Sequence, residues 1–270
     1  MNENTEQIEA AARAAFSGPE IRVVSFSFEG RRYVAKRLTE QKKRRLAQTL
    51  FMRWLVRRIT GQTLPIKTLA LSEAAQSVNF EANRLQSLAA AGVRVPRVVL
   101  RTQDFFVLDD CGTVVATLLE DWPCATWRRE LQQLATELGE FHAAGHWHGS
   151  AQIRNITLLD GKTYRIDFEE RFGTALPLPV TQVHDLIVFL NSVALAGPID
   201  EAETRLLLPM LLECYFSAQP DPEIRRLIAR ILPLMRSLSC LARPFQRWSR
   251  KGIRRLLLMV DLLATVNTPS

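Results

Sequence analysis

Phe141-His142-Ala143-Ala144-Gly145-His146-Trp147-His148-Gly149-Ser150-Ala151-Gln152-Ile153-Arg154-Asn155, followed twelve residues after its last member by Asp167 in Ile166-Asp167-Phe168-Glu169, is the stretch on which the reading of this chain turns. Trp127 to Ala144 carries a helical pattern that Gly145 stops, because glycine enters the left-handed conformation that closes a helix without steric cost. His146 to Asn155 is compact and polar. Ile156 to Ile166 then alternates about Asp160-Gly161, a pair suited to a two-residue hairpin turn. Helix, polar loop and hairpin in succession set Asn155 just before the hairpin and Asp167 just after it, and both carry oxygen donors.

Toward the N-terminus, Glu6 to Phe16 reads as a short helix broken by Ser17-Gly18-Pro19. Arg22 to Phe28 and Arg32 to Leu38 are β-rich runs joined by Glu29-Gly30-Arg31, a hairpin signal, and the second run contains Val34-Ala35-Lys36. Within 41–59, Leu46, Leu50, Phe51, Trp54 and Leu55 recur at helical spacing among Lys42, Lys43, Arg44, Arg45, Arg53, Arg57 and Arg58, which predicts a basic amphipathic helix. Residues 71–91 form a further helix carrying Glu81 and ending at Gly92. Two short strands follow, Arg97 to Arg101 and Asp104 to Leu108, and then a junction at Asp109-Asp110-Cys111-Gly112. Beyond Pro179 the pattern is helical throughout: Thr181 to Ala196, Glu201 to Ala218, Pro222 to Ser239 and Pro244 to Thr265. The expected organisation is α+β and bilobal, with a small β-rich N-lobe over 1–109 and a mainly helical C-lobe over 110–270 that contains the loop segment 146–170.

The quoted stretch resembles the Leu-His-x-x-Gly-x-x-His-Gly-Asp-x-x-x-x-Asn … Ile-Asp-Phe pattern of the kinase-like superfamily, over a span from about Val23 to Leu190. Within it, Ile-Asp-Phe-Glu, the basic insert and the small size are most similar to the lipopolysaccharide core kinases acting on heptose or Kdo, and to toluene-tolerance-type proteins. The resemblance implies a protein-kinase-like fold and phosphoryl transfer from ATP with Mg²⁺. Carried over residue by residue, it implies that Lys36 holds the nucleotide phosphates, that Glu81 orients Lys36, and that Asn155 and Asp167 hold the metal. His148 and Asp185 would give the loop structural support. An aminoglycoside-phosphotransferase-type or small atypical kinase is a further reading of the same pattern; the basic insert argues instead for a lipid-linked acceptor.

Two departures bear on activity. Ser150 occupies the position of the catalytic-base aspartate, five residues before Asn155, and a serine hydroxyl does not take up a proton near neutral pH. Removing general-base help typically costs about 10²–10⁴-fold, and the base of phosphoryl transfer chiefly orients the acceptor. The chain is therefore read as a kinase, with Glu169 or Glu170 as substitute bases, and alternatively as a pseudokinase adaptor. Secondly, no Gly-x-Gly-x-x-Gly precedes Lys36, since only Gly18 and Gly30 lie upstream.

Composition sets the remaining bounds. The 270 residues are 47% hydrophobic and 23% charged, which fits a globular chain. The runs Leu256 to Val266 and Leu186 to Ala196 are too short and too interrupted to cross a bilayer. The polar, acidic N-terminus is unlike a signal peptide, so the expected location is cytoplasmic, peripheral on the inner face of the cytoplasmic membrane. Cys111, Cys124, Cys214 and Cys240 are scattered, which argues against a thiolate zinc site. His142, His146 and His148 lie close together, but Gly145 ends the helix on which the first two would share a metal, and loop-packing roles are expected of them. Of the net charge of +7, residues 224–270 hold +9 and the rest sums to −2. The basic clusters interleave with leucine and tryptophan as membrane-surface helices do, so a lipid-linked sugar or an anionic membrane surface, not nucleic acid, is the expected partner. The pattern says nothing of oligomeric state.

Overall fold

The computed structural model describes residues 3–18, 20–37, 57, 74–242 and 259–260. The basic helix expected over 41–59, Arg57 apart, and the final helix Pro244 to Thr265, Met259 and Val260 apart, lie outside the described residues, as do the first three residues of the 71–91 helix. The elements run α1 (Glu3–Ala15), β1 (Val23–Phe28), β2 (Arg31–Arg37), α2 (Ala74–Ala90), β3 (Val98–Arg101), β4 (Phe105–Asp109), β5 (Thr113–Val114), α3 (Val115–Asp121), α4 (Cys124–Ala143), β6 (Ile156–Leu159), β7 (Lys162–Arg165), α5 (Leu178–Ala194), α6 (Glu201–Ala218) and α7 (Pro222–Ala242). With the strands of the β1-β2-β4-β3 sheet in the first half and helices dominating the second, the α+β class read from the sequence is the one observed. The short α3 is an addition to that reading: about two turns is too little chain to show a helical period. Among the described residues no helix is long and apolar enough to cross a membrane.

By contacts the chain forms two compact units. Among the described residues the first comprises 3–18, 20–37, 74–113 and 156–169, and the second 57, 114–155, 170–242 and 259–260. The β6–β7 hairpin, placed with the helical lobe by its position in the sequence, groups with the sheet. Its Arg165 N–H donates to the Arg94 carbonyl at 3.1 Å, and the residues just beyond it reach Lys36.

The first unit is built on an antiparallel sheet in the order β1-β2-β4-β3. Two of the hairpins in this unit turn on two residues with positive φ: Glu29 (49°) and Gly30 (73°) between β1 and β2, Asp160 (50°) and Gly161 (71°) between β6 and β7. That is the geometry whose twist matches paired strands. α1 covers one face of the sheet, where Ile8 and Ala12 pack with Tyr33, Ala35, Leu100, Phe105 and Val107, joined by Phe16, Val24, Phe26 and Phe28. Side chains alternate along a strand, so Lys36, between Ala35 and Arg37, turns to the opposite face. In α2, Glu81, Ala82, Leu85 and Leu88 are buried; spaced as they are, they share one helical face, and Glu81 enters the interior with its apolar neighbours. α2 closes at Gly92 (φ 81°), with Val93 N–H on the Leu88 carbonyl and Gly92 N–H on that of Ala89.

The second unit is helical. α4 starts at Cys124, directly after Pro123, and not at Trp127 as the pattern predicts. α4 and α6 approach closely at Gly139, where a Cβ would lie 2.6 Å from the Tyr215 carbonyl oxygen and 2.8 Å from Ala218 Cβ. The Asp200 side chain caps α6 by accepting from Glu203 N–H at 2.8 Å. α5 is buried along most of its length, through Val183, Leu186, Phe189, Leu190 and Val193.

Candidate active site

The first unit gathers five charged side chains. Lys36 Nζ donates to Glu81 Oε2 at 2.9 Å and Oε1 at 3.0 Å, and to Asp167 Oδ1 at 2.5 Å. Glu169 Oε2 stands 3.6 Å from the same ammonium and is ion-paired with Arg22. The sequence pointed to Lys36, Glu81 and Asp167, and the fold brings these three into contact. It missed Arg22, a lone arginine before a strand with no motif to mark it. Lys36 and Glu81 side chains are only 10% and 7% exposed. Burial opposes the charge on Lys36, but Glu81 and Asp167 outweigh it and hold the ammonium's pKa above its ordinary value. Burial pushes Glu81 upward, against the pull of Lys36.

Asp167 adopts φ 67°, a left-handed conformation that aspartate tolerates better than most residues. The next residue explains why the chain accepts it: Phe168 is fully buried, with the Arg84 guanidinium 5.1 Å from its ring centroid. With the Phe168 ring anchored inside, the turn at Asp167 directs its carboxylate to Lys36. Glu81, Asp167 and Glu169 present oxygens within 4.8 Å of one another. This all-oxygen donor set fits a hard cation such as Mg²⁺, with Lys36 as the internal counter-charge.

The second unit holds Ser150, Asn155, His148 and Asp185. The loop begins where Gly145 (φ 81°) ends α4, with His146 N–H on the Phe141 carbonyl and Gly145 N–H on that of His142. Gly145 thus separates His142 from His146, and among the described residues the one group able to hold a metal contains no histidine. α5 then fastens the loop with three side chains. Gln182 Nε2 donates to the His142 and His146 carbonyls at 2.7 and 3.0 Å. Asp185 accepts His148 N–H at 2.5 Å and Gly149 N–H at 2.8 Å. Ser192 Oγ accepts Ile153 N–H at 3.1 Å. Asp185 is wholly buried, which by itself would raise its pKa; the contacts of His142 and His184 and the His148 charge outweigh that and hold it well below the usual carboxylate range. His142 Nε2 lies 3.5 Å from Asp185 Oδ2 while its Nδ1 lies 2.7 Å from the buried Tyr215 hydroxyl. Gln182, Ser192 and Tyr215 were not singled out from the sequence, because nothing local relates them to partners 36 or more positions away.

Ser150 and Asn155 meet within the loop. Asn155 Nδ2 donates to the Ser150 carbonyl at 2.8 Å and to its Oγ at 3.3 Å, and Gln152 Nε2 reaches the same Oγ at 3.2 Å. A hydroxyl has two acceptor lone pairs and one proton. Both lone pairs are taken, so Ser150 has a donor's role left and no base's role. The remaining polar atom of the Asn155 side chain, Oδ1, is an amide oxygen, a donor type that hard cations accept. Of the two substitute bases, Glu169 is bound to Arg22 in the first unit. Glu170 belongs to the second, where a Cβ on Gly149 (φ 96°) would lie 2.7 Å from Glu170 Cβ, so Glu170 packs beside the residue preceding Ser150.

No family model matches the chain. An uncharacterized protein from Haemophilus influenzae is 30% identical over 124 residues, 44% of this chain and 49% of that protein; the match spans about half the length of that relative. A solved structure of WaaP in complex with acyl carrier protein superposes with a TM-score of 0.47 at 17% identity, covering 98% of this chain and 95% of that one.

Proposed function

We propose that this chain is an ATP- and Mg²⁺-dependent phosphotransferase of the kinase-like type, with a sugar hydroxyl of a lipid-linked lipopolysaccharide core intermediate as the acceptor class that the sequence resemblance implies. The observation that carries the reading is the buried Lys36–Glu81 pair with Asp167 on the same ammonium. Burying two charges costs several kcal/mol per ion unless geometry and function retain them, and a fixed ammonium beside a partly open carboxylate is what binding of a metal-complexed polyphosphate requires. Glu81 holds Lys36 in place, Lys36 binds phosphate oxygens, and Asp167 would offer oxygen to Mg²⁺, a role that the sequence resemblance also implies for Asn155; the ion when bound neutralises phosphate charge. Glu170 is the residue we assign to orient the acceptor hydroxyl in place of an aspartate at position 150. The basic stretch 41–59 supports attachment to an anionic membrane surface.

The test is nucleotide binding and γ-phosphate turnover by the full chain, with and without Mg²⁺, for wild type, Asp167→Asn and Ser150→Asp. Mg²⁺-dependent binding that Asp167→Asn loses is expected, and a wild type that binds no nucleotide sinks the proposal. A second reading, a nucleotide-binding pseudokinase adaptor, is favoured by the filled lone pairs of Ser150. It replaces the first if wild type binds ATP without turnover and Ser150→Asp turns it over. Flotation with anionic liposomes tests the membrane claim: equal flotation after neutralising Arg53, Arg57 and Arg58 removes the 41–59 stretch from it.

A further inference from the structure

We infer that Arg22 is the phosphate-binding cation that stands in for the missing glycine-rich loop, and that Glu169 holds it in reserve until nucleotide arrives. The inference rests on the nucleotide-binding reading above and deepens it. The β1–β2 turn consists of Glu29 and Gly30 alone, and nothing lies within 4 Å of a Cβ on Gly30 or on Gly18. A turn this tight offers no run of backbone N–H groups to wrap a polyphosphate. A charged side chain is the alternative, and Arg22 supplies one at the right place. Its carbonyl accepts the Arg37 N–H at 2.7 Å, which seats it beside the end of β2 that carries Lys36. Its guanidinium binds the Glu169 oxygen that also stands 3.6 Å from Lys36 Nζ, so the two cations flank a single carboxylate oxygen.

Exposure divides the group into a fixed part and an exchangeable part. Lys36 and Glu81 side chains are 10% and 7% exposed, whereas Arg22 and Glu169 are 43% and 27% exposed. Solvent-facing ion pairs are worth little and exchange partners readily, and a guanidinium fork binds phosphate with two parallel hydrogen bonds. Three carboxylates against Lys36 and Arg22 leave the group formally one negative charge in excess, so polyphosphate is repelled until a divalent cation occupies the carboxylates. A divalent cation held by Asp167 and Glu169 would free Arg22, and the side of Lys36 that Asp167 occupies, for the phosphates. Glu169 therefore makes nucleotide binding conditional on the metal.

Fluorescent ATP, ADP and AMP titrated onto the full chain, with and without Mg²⁺, test this in wild type, Arg22→Gln, Arg22→Lys, Glu169→Gln and Lys36→Met. Loss of one charge-assisted contact to phosphate corresponds to about tenfold or more in affinity. Arg22→Gln is expected to weaken ATP by about that factor and AMP far less, lowering the ATP-over-AMP preference, with partial recovery in Arg22→Lys. Glu169→Gln is expected to tighten ATP binding in the absence of Mg²⁺ and to shrink the gain that Mg²⁺ brings. If Lys36→Met loses ATP while Arg22→Gln weakens all three nucleotides equally or not at all, Arg22 has no phosphate role and only this inference falls. Unchanged Mg²⁺-free binding in Glu169→Gln also overturns it. Absence of nucleotide binding in wild type removes both this inference and the function on which it rests.

Discussion

Replacing Asp185 with asparagine removes the carboxylate that organises the loop 146–155, and its cost can be worked from the contacts. Asp185 is wholly buried and accepts His148 N–H on one oxygen and Gly149 N–H on the other, at 2.5 and 2.8 Å. Asparagine keeps one acceptor oxygen and turns an NH₂ donor toward the second N–H. The variant loses one charge-assisted bond, about 1.5–3 kcal/mol, and strands a buried N–H, about 1–3 kcal/mol. A loss of about 3–5 kcal/mol is expected, a large part of the 5–15 kcal/mol by which domains are stable. In urea, with a slope of about 3 kcal/mol/M, the midpoint drops by about 1–2 M. The pH dependence has a definite sign. Because the folded-state pKa of Asp185 is lowered, its contribution is present above the unfolded value of about 3.9 and is lost as pH falls toward the folded value. Wild type therefore weakens on acidification below about pH 4, and Asp185→Asn loses that share of the slope. Urea melts of both proteins between pH 3 and pH 7 measure it; a shift under about 1 kcal/mol, or an unaltered acid slope, refutes the reasoning.

Lys36→Met leaves Glu81 buried without its ammonium, so it destabilises the fold by about 3–5 kcal/mol at neutral pH. Because burial raises the Glu81 pKa, that loss shrinks as pH falls and the carboxyl takes up its proton, which melts at pH 5 and pH 8 compare. Gly139→Val forces α4 from α6, since even a Cβ would lie 2.6 Å from the Tyr215 carbonyl oxygen; it should cost more than about 3 kcal/mol, whereas Gly145→Ala, with open space around it, costs only the left-handed strain of about 1–2 kcal/mol. Cys111 is buried and its thiol is pushed up to about 12 by burial and the nearby Asp109 and Asp110. Iodoacetamide at pH 8 should therefore label the exposed Cys124 and spare Cys111 until the protein is unfolded, as peptide mass spectrometry will show.

Much of the fold is legible in short segments. Gly92 and Gly145 end α2 and α4, and Asp160-Gly161 turns the β6–β7 hairpin, because these signals act over a few residues through φ and one or two hydrogen bonds. Alternation and helical spacing likewise mark β1, β2 and α2, with the strand starts moved by one position. The short α3 escapes, as does the start of α4, where Pro123 governs and apolar spacing does not. In the site, Lys36, Glu81, Asp167, Asn155 and Ser150 stand out because their spacing matches a known pattern. Arg22, Gln182, Ser192 and Tyr215 do not, since each acts across a large separation and none belongs to a local motif.

Residue chemistry read along the chain is thus sufficient for the type of each group: an ammonium on a strand, a glutamate on a helix, oxygen donors on either side of a hairpin, a hydroxyl where a carboxylate base is expected. Only the folded chain decides who shares whose charge. It groups the hairpin with the unit that carries the sheet, sets Glu169 between Lys36 and Arg22, fills both lone pairs of Ser150, and hangs the loop on Asp185. The physical reason is range. Turn and helix preferences are set by neighbours a few bonds away, whereas ion pairing, desolvation and hydrogen-bond saturation depend on atoms that are close only after packing, and these terms fix whether a recognisable group binds, orients or stays idle.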